Sequence, residues 1–134
     1  MRAQRQTRQR QAIQRVLVEA DRPLSPAELW SAAQCVVPDL GMATVYRTIK
    51  RLIQERCAIA VEIPGEPDRY ESAGKPHHHH FLCRSCHRMF ELPGCPVHLD
   101  RHTPTGFQVD GHELTLYGRC NECASRADLN HGAA

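Results

Sequence analysis

Two Cys-x-x-Cys pairs, Cys83 with Cys86 and Cys120 with Cys123, constrain this chain more than any other feature. A two-residue spacer lets both thiolates of a pair reach one ion, and four thiolates complete the tetrahedral shell that zinc accepts. The arrangement Cys-x2-Cys-x33-Cys-x2-Cys therefore predicts a small domain clamped by a structural Zn2+. Zinc–thiolate bonds would offset the small core such a domain can bury. A redox dithiol would need a thioredoxin-like pattern, which is missing.

Immediately before the first pair runs His77-His-His-His80, followed by Phe81 and Leu82. The segment reads as a strand, and alternation sends His78, His80 and Leu82 to one face and His77, His79 and Phe81 to the other. Four identical residues thus become two chelating pairs. One candidate set is Glu71, His78, His80 and Glu91, with Glu71 at the end of the preceding hairpin and Glu91 on a strand over Arg88 to Leu92. An ion held there would tie the two halves of the chain together. The other set is His77, His79, His98 and His112, with Cys95 as a possible thiolate. His87, His102 and His131 read as solvated, and Cys35 and Cys57 as core. Gly94 turns the chain, and a short helix is expected through His102. Phe107 to Val109 and Leu114 to Tyr117 read as strands of a hairpin around Asp110-Gly111.

Charge divides the chain at the same place. Up to Lys75 there are twelve Lys/Arg against nine Asp/Glu; beyond it there are five against six. All nine histidines and five of the seven cysteines lie after Pro76. We expect two domains, residues 1–74 and 75–134. No stretch approaches the roughly 18 apolar residues of a membrane span, and no signal-peptide core is present. The chain is read as cytoplasmic, where a disulfide framework is not expected.

The first half spells three helices and a hairpin. Ile13, Val16, Leu17 and Ala20 recur at helical spacing. Ser25-Pro-Ala-Glu28 is a capping box with proline at the first helical position. A third helix from about Ala43 to Gln54 buries Val45, Ile49, Leu52 and Ile53. Its other face carries Thr44, Tyr46, Arg47, Lys50 and Arg51, which suits a helix set in a DNA major groove. Ile59 to Ile63, the Pro64-Gly65 turn and Asp68 to Tyr70 form a wing. Arg5, Arg8 and Arg10 lie in an acid-free N-terminal arm able to follow phosphates. The fold class is α+β: a winged helix-turn-helix followed by a small α/β domain with a four-cysteine zinc site.

The whole chain resembles the ferric uptake regulator superfamily of metal-dependent repressors. The matching stretches are Thr7-Arg-Gln-Arg10, Ala43-Thr-Val-Tyr-Arg47, Arg69-Tyr-Glu71, the histidine run into Cys83-x-x-Cys86, and Leu116-Tyr-Gly118 leading into Cys120-x-x-Cys123. The resemblance implies a homodimer joined through the C-terminal domains and metal-dependent binding to palindromic double-stranded operator DNA. It implies that Glu71, His78, His80 and Glu91 hold the regulatory metal. His77, His79 and His112 match a second site, with His98 where an acid often stands. Many members carry a hinge-site histidine where Pro23 or Leu24 stands here. That departure, and the Cys95-Pro-Val-His98 stretch, make the chain look most like the zinc-responsive members. Iron-, manganese- and peroxide-responsive repression are the alternatives, with Fe2+ or Mn2+ as regulatory metal.

Two readings of other classes compete. A zinc hydrolase needs an open coordination position and a general base, and no His-Glu-x-x-His helix exists. A DNA-binding protein with structural zinc only would bind DNA regardless of mild chelation. The chain is not read as an enzyme.

Overall fold

A computed structural model of the chain describes residues 2–95, 98 and 101–132, and side chains as far as 126. The chain divides into two compact units, Met1–Lys75 and Pro76–Ala134.

The first unit contains α1 (Arg2–Glu19), α2 (Pro26–Ala33), α3 (Met42–Gln54), β1 (Ala58–Ile63) and β2 (Glu66–Ser72). Ile13 and Leu17 of α1, Leu29 and Ala33 of α2, and Val45, Ile49 and Leu52 of α3 form one buried cluster. Each helix supplies residues three or four apart, the spacing that keeps side chains on one face. The capping box forms: the Glu28 amide donates to Ser25 Oγ at 3.2 Å, and the Ser25 amide donates to Glu28 Oε1 at 3.1 Å. Trp30 Nε1 donates to the Leu40 carbonyl at 2.7 Å, tying down the connection into α3. β1 and β2 pair antiparallel through the Pro64-Gly65 turn, where Gly65 takes the positive φ the turn requires. Leu24 exchanges two backbone hydrogen bonds with Tyr70, fastening the wing to the start of α2. This is a winged helix-turn-helix.

Three details differ from expectation. The N-terminal segment is no extended arm, because α1 is helical from Arg2. Ile53 lies at the edge of the α3 stripe and is 36% exposed. Cys35, expected in the core, is exposed in the turn that follows α2.

The second unit contains β3 (His78–Cys83), β4 (Met89–Pro93), β5 (Thr115–Gly118) and α4 (Asn121–Gly132). The sheet order is β4-β3-β5, with β3 antiparallel to β4 and parallel to β5. Leu82 and Met89 are buried opposite each other. Gly118 lies against the Phe81 ring, where an added Cβ would come within 3.2 Å of it. The hairpin around Asp110-Gly111 does not form. Residues 107–113 pair with no strand among the described residues, Leu114 only accepts a backbone hydrogen bond from the His80 amide at 3.2 Å just before β5, and neither Asp110 nor Gly111 takes the positive φ of a two-residue hairpin turn. β5 instead pairs in parallel with β3, which requires a long connection to bring the chain back to the same end of the sheet. The short helix expected after Cys95 falls largely outside the described residues. α4 was not anticipated from the sequence.

Candidate metal centres and nucleic-acid interface

β3 organises the second unit's donor groups. Its alternation places the buried His79 on the side of His77, and places His78 and His80 with Glu91 of β4.

On the first side, His77, His79 and His112 bring their Nε2 atoms to within 3.1–3.2 Å of one another. Cys95 Sγ lies 3.3 Å from His79 Nε2 and 3.2 Å from His112 Nε2. Three imidazole nitrogens converging this closely cannot all be satisfied by hydrogen bonds among themselves, since a neutral ring has one N–H and one lone pair. Four donors near 2.0–2.3 Å from one ion would be spaced roughly 3.3–3.8 Å apart in a tetrahedron. The group fits such an ion after a slight expansion. Burial, then the neighbouring imidazoles, push the His79 pKa down, which keeps its ring neutral as a ligand must be. His98 is exposed and stands outside this group, and Cys95 is its fourth candidate donor.

On the other side, the His78 and His80 rings sit edge to face with centroids 4.9 Å apart. His78 Nδ1 lies 2.7 Å from the Pro76 carbonyl, which can only accept. Nδ1 is therefore the protonated nitrogen, and Nε2 carries the lone pair for a metal. Glu91 Oε1 is 3.6 Å from His78 Nδ1, and Glu91 faces His80 across the β3–β4 ladder. Glu71 belongs to the first unit, buried near the end of β2.

Cys83, Cys86, Cys120 and Cys123 form the third group, each sulfur within 4.8 Å of the others. The Cys86–Cys120 separation of 3.9 Å matches the roughly 3.8 Å edge of a zinc tetrathiolate. The amides of Cys86 and Cys120 donate to Cys83 Sγ at 3.4 and 3.3 Å. Those amides hold the Cys83 thiol down at about 5, in the thiolate form a metal needs. Burial works against the Cys86 thiolate, but hydrogen bonds from Arg88 outweigh it and lower its pKa. The knuckle turns at His87, whose φ is 62° and whose side chain is exposed. Arg88 was not singled out in the sequence; its only signal there is its place two residues after Cys86.

In the first unit, Tyr46 of α3 is 54% exposed, and Arg47, Lys50 and Arg51 are exposed beside it, with Thr44 half-buried. Arg47 donates to Thr44 Oγ1 at 3.1 Å. Lys50 has no ion-pair partner among the described residues. The cations of α1 are engaged differently. Arg5 pairs with Asp39 at 2.8 Å, Arg8 donates to the Val36 carbonyl at 3.3 Å, and Arg10 pairs with Glu55 at 2.5 Å. Thr7 and Arg10 of α1 and Thr44, Arg47, Thr48 and Arg51 of α3 line a groove of about 320 Å³. Thr48, four residues from Thr44, is a groove residue that helical spacing alone would have found.

The description of the Ferric uptake regulator family matches residues 2–117. The ferric uptake regulation protein of Campylobacter jejuni is 32% identical over 124 residues, covering 87% of this chain and 78% of that protein. The zinc uptake regulation protein of Mycobacterium tuberculosis is 30% identical over 124 residues, covering 90% and 95%. Among solved structures, the Helicobacter pylori ferric uptake regulator, which has three functional metal binding sites, superposes with a TM-score of 0.71 at 26% identity, covering 87% of this chain and 79% of that one.

Proposed function

Because the chain belongs to the ferric uptake regulator family of metal-responsive transcriptional regulators, we propose that it represses transcription as a cytoplasmic homodimer that binds operator DNA when its regulatory metal is bound, and that this metal is zinc. Relatives of this kind are regulators rather than enzymes. The His77, His79, Cys95 and His112 group supports that, since four protein donors leave no open position for a substrate. The observation that carries the zinc reading lies in the centre on the opposite face of β3 from the regulatory histidines His78 and His80, where three Nε2 atoms and one Sγ converge at 3.1–3.3 Å; a chain that builds this second centre for zinc is read as responding to zinc. A compact tetrahedral set with a thiolate suits Zn2+ better than the harder Mn2+ or an octahedral Fe2+.

We assign the coupling of metal to DNA to His78, His80 and Glu91, with Glu71 as the ligand drawn from the wing. Glu71 is assigned from its place in the chain, seven residues before His78. A metal can shift a conformational equilibrium only by binding one state better than the other. A ligand on the DNA-binding unit supplies that difference. Cys83, Cys86, Cys120 and Cys123 would hold a structural Zn2+. On the DNA side, Tyr46 would contact bases, and Lys50, Arg51 and Arg47 would position α3 on phosphates. Arg5, Arg8 and Arg10 would add phosphate contacts from α1 once they exchange their present partners. Phe107, Val109, Leu116 and Tyr117 leave apolar surface exposed on the second unit, which supports dimerisation there.

The test uses a duplex selected from a random pool by the zinc-loaded protein. Binding is measured after mild chelation and after adding back zinc, iron(II) or manganese(II) at matched free concentrations, with metal counted per chain. Zinc should restore binding at the lowest free concentration, with more than one metal per chain. Equal restoration by all three metals would remove the zinc preference. Binding indifferent to chelation, with one metal per chain, would show that the zinc is structural only.

A further inference from the structure

Arg88 links the two cysteine knuckles through side-chain contacts that the metal ligands alone do not explain. Its Nε donates to Cys86 Sγ at 3.4 Å, and its Nη2 donates to Glu122 Oε2 at 2.9 Å. Glu122 lies in the first turn of α4, between Cys120 and Cys123. The backbone of Arg88 is fixed as well, because its carbonyl accepts from the Cys83 amide at 3.0 Å. One residue thus touches the first knuckle at Cys83 and Cys86 and the second at Glu122.

Charge explains why a guanidinium belongs there. Four thiolates around a divalent ion leave a centre with a formal charge of about −2. Buried or half-buried negative charge is costly unless a cation or hydrogen-bond donors face it. The amides of Cys86 and Cys120 serve Cys83, whereas Cys86 receives the one side-chain cation that contacts a sulfur of this group among the described residues. The Arg88–Glu122 pair by itself is too exposed to contribute much, with side chains 38% and 61% accessible. Its role is to aim the guanidinium: one edge is held on the carboxylate while the other stays on the sulfur, a geometry the rigid fork of arginine permits and a lysine does not.

We infer that Arg88 is a positioning residue of the four-cysteine centre that slows loss of its metal, acting through the Cys86 thiolate and held in place by Glu122. The inference rests on the reading that these four cysteines bind zinc.

Zinc release from the full-length, zinc-loaded protein into excess 4-(2-pyridylazo)resorcinol tests it, the four-cysteine phase being the one missing in Cys83→Ser. Arg88→Ala should accelerate that phase about tenfold, the lower end of the range for outer partners of metal ligands, because Arg88 is partly exposed. Arg88→Lys should fall between Arg88→Ala and wild type. Glu122→Gln should accelerate release by less than about threefold, and should add nothing in an Arg88→Ala background, since both changes act through one contact. In cobalt-substituted protein, Arg88→Ala should shift the sulfur-to-cobalt charge-transfer band, because the N–H···S bond to Cys86 is lost; a general loosening of the fold would not. A wild-type release rate with an unshifted band in Arg88→Ala overturns the inference. If Arg88→Ala does not fold, a wild-type rate in Arg88→Lys overturns it equally. Should wild type and Cys83→Ser carry the same metal count, the four-cysteine reading itself is what fails.

Discussion

Replacing Cys95 by serine tests the thiolate in the histidine-rich centre. The change removes one donor while sparing His77, His79 and His112, whose Nε2 atoms lie 3.1–3.2 Å from one another. Zinc held by four protein ligands is bound with roughly 10–16 kcal/mol. Shared among four donors this is about 3 kcal/mol each, or about a hundredfold in Kd. Water can occupy the lost position and return part of that, so a loss of ten- to a hundredfold is expected. Manganese, which gains little from a thiolate, should lose less, so the ratio of zinc to manganese affinity should contract by about tenfold. The assay is a competition titration against a chelator of known affinity, with the four-cysteine centre already filled with zinc. Cobalt added under the same conditions should show a sulfur-to-cobalt band in wild type and none in Cys95→Ser. A Kd within about threefold of wild type, with the band retained, would refute the claim that Cys95 is the fourth ligand.

Lys50→Ala should weaken binding about equally across DNA sequences and flatten the salt dependence by about one unit, because Lys50 has no ion-pair partner among the described residues to compete. Arg10→Ala should change the salt slope less, since Glu55 already engages that guanidinium. Tyr46→Ala should relax sequence preference instead, read by comparing cognate with scrambled duplexes. Leu52→Ala, at a fully buried position of α3, should cost about 2–5 kcal/mol, seen as a lower urea midpoint of the first unit. The pH dependence has a definite sign. With its folded-state pKa below the usual 6.5, His79 contributes stability that is fully present above pH 6.5 and is lost as pH falls through its folded pKa. Urea midpoints of metal-free protein should therefore fall on acidification below pH 6.5, and His79→Gln should remove that part of the slope.

The first unit was legible because its signals are local. A capping box, three apolar stripes and a Pro-Gly turn each specify an element within a few residues, and the helices pack on those stripes. Ile53 shows the margin of such reading: it is apolar and at helical spacing, yet it sits past the edge of the face that Val45, Ile49 and Leu52 bury. The second unit was less legible because its order comes from pairings distant in sequence. An Asp-Gly dipeptide between apolar residues is a strong local hairpin signal, but the partner of β5 is β3, some 35 residues away by register. The candidate donors stand out by residue type; Cys95, only a possible thiolate beside His98 in the sequence, joins the histidine group by geometry, and His98 does not. Arg88 carried no local signal beyond its place two residues after Cys86, and α4 carried none, since an arginine after a knuckle and a short polar helix look like ordinary surface.

A run of four identical residues also poses a problem of register. Shifting β3 by one residue would exchange the two histidine pairs between faces, and no histidine in the run can distinguish the two alignments by its own chemistry. The discrimination has to come from the residues that follow. Leu82 and Met89 are buried as a cross-strand pair, so a one-residue slip would turn Leu82 outward. Phe81 fits against Gly118, the one position of β5 where its ring meets no side chain. Cys83 donates its amide to the Arg88 carbonyl and must present its sulfur to Cys86 and Cys120. Phe81, Leu82 and Cys83 therefore set which histidines face which partners. The four-cysteine centre, by closing the end of β3, fixes the alignment on which both histidine sets depend. Loss of that centre should therefore weaken, without abolishing, metal binding by the other two sets, even though it shares no ligand with them.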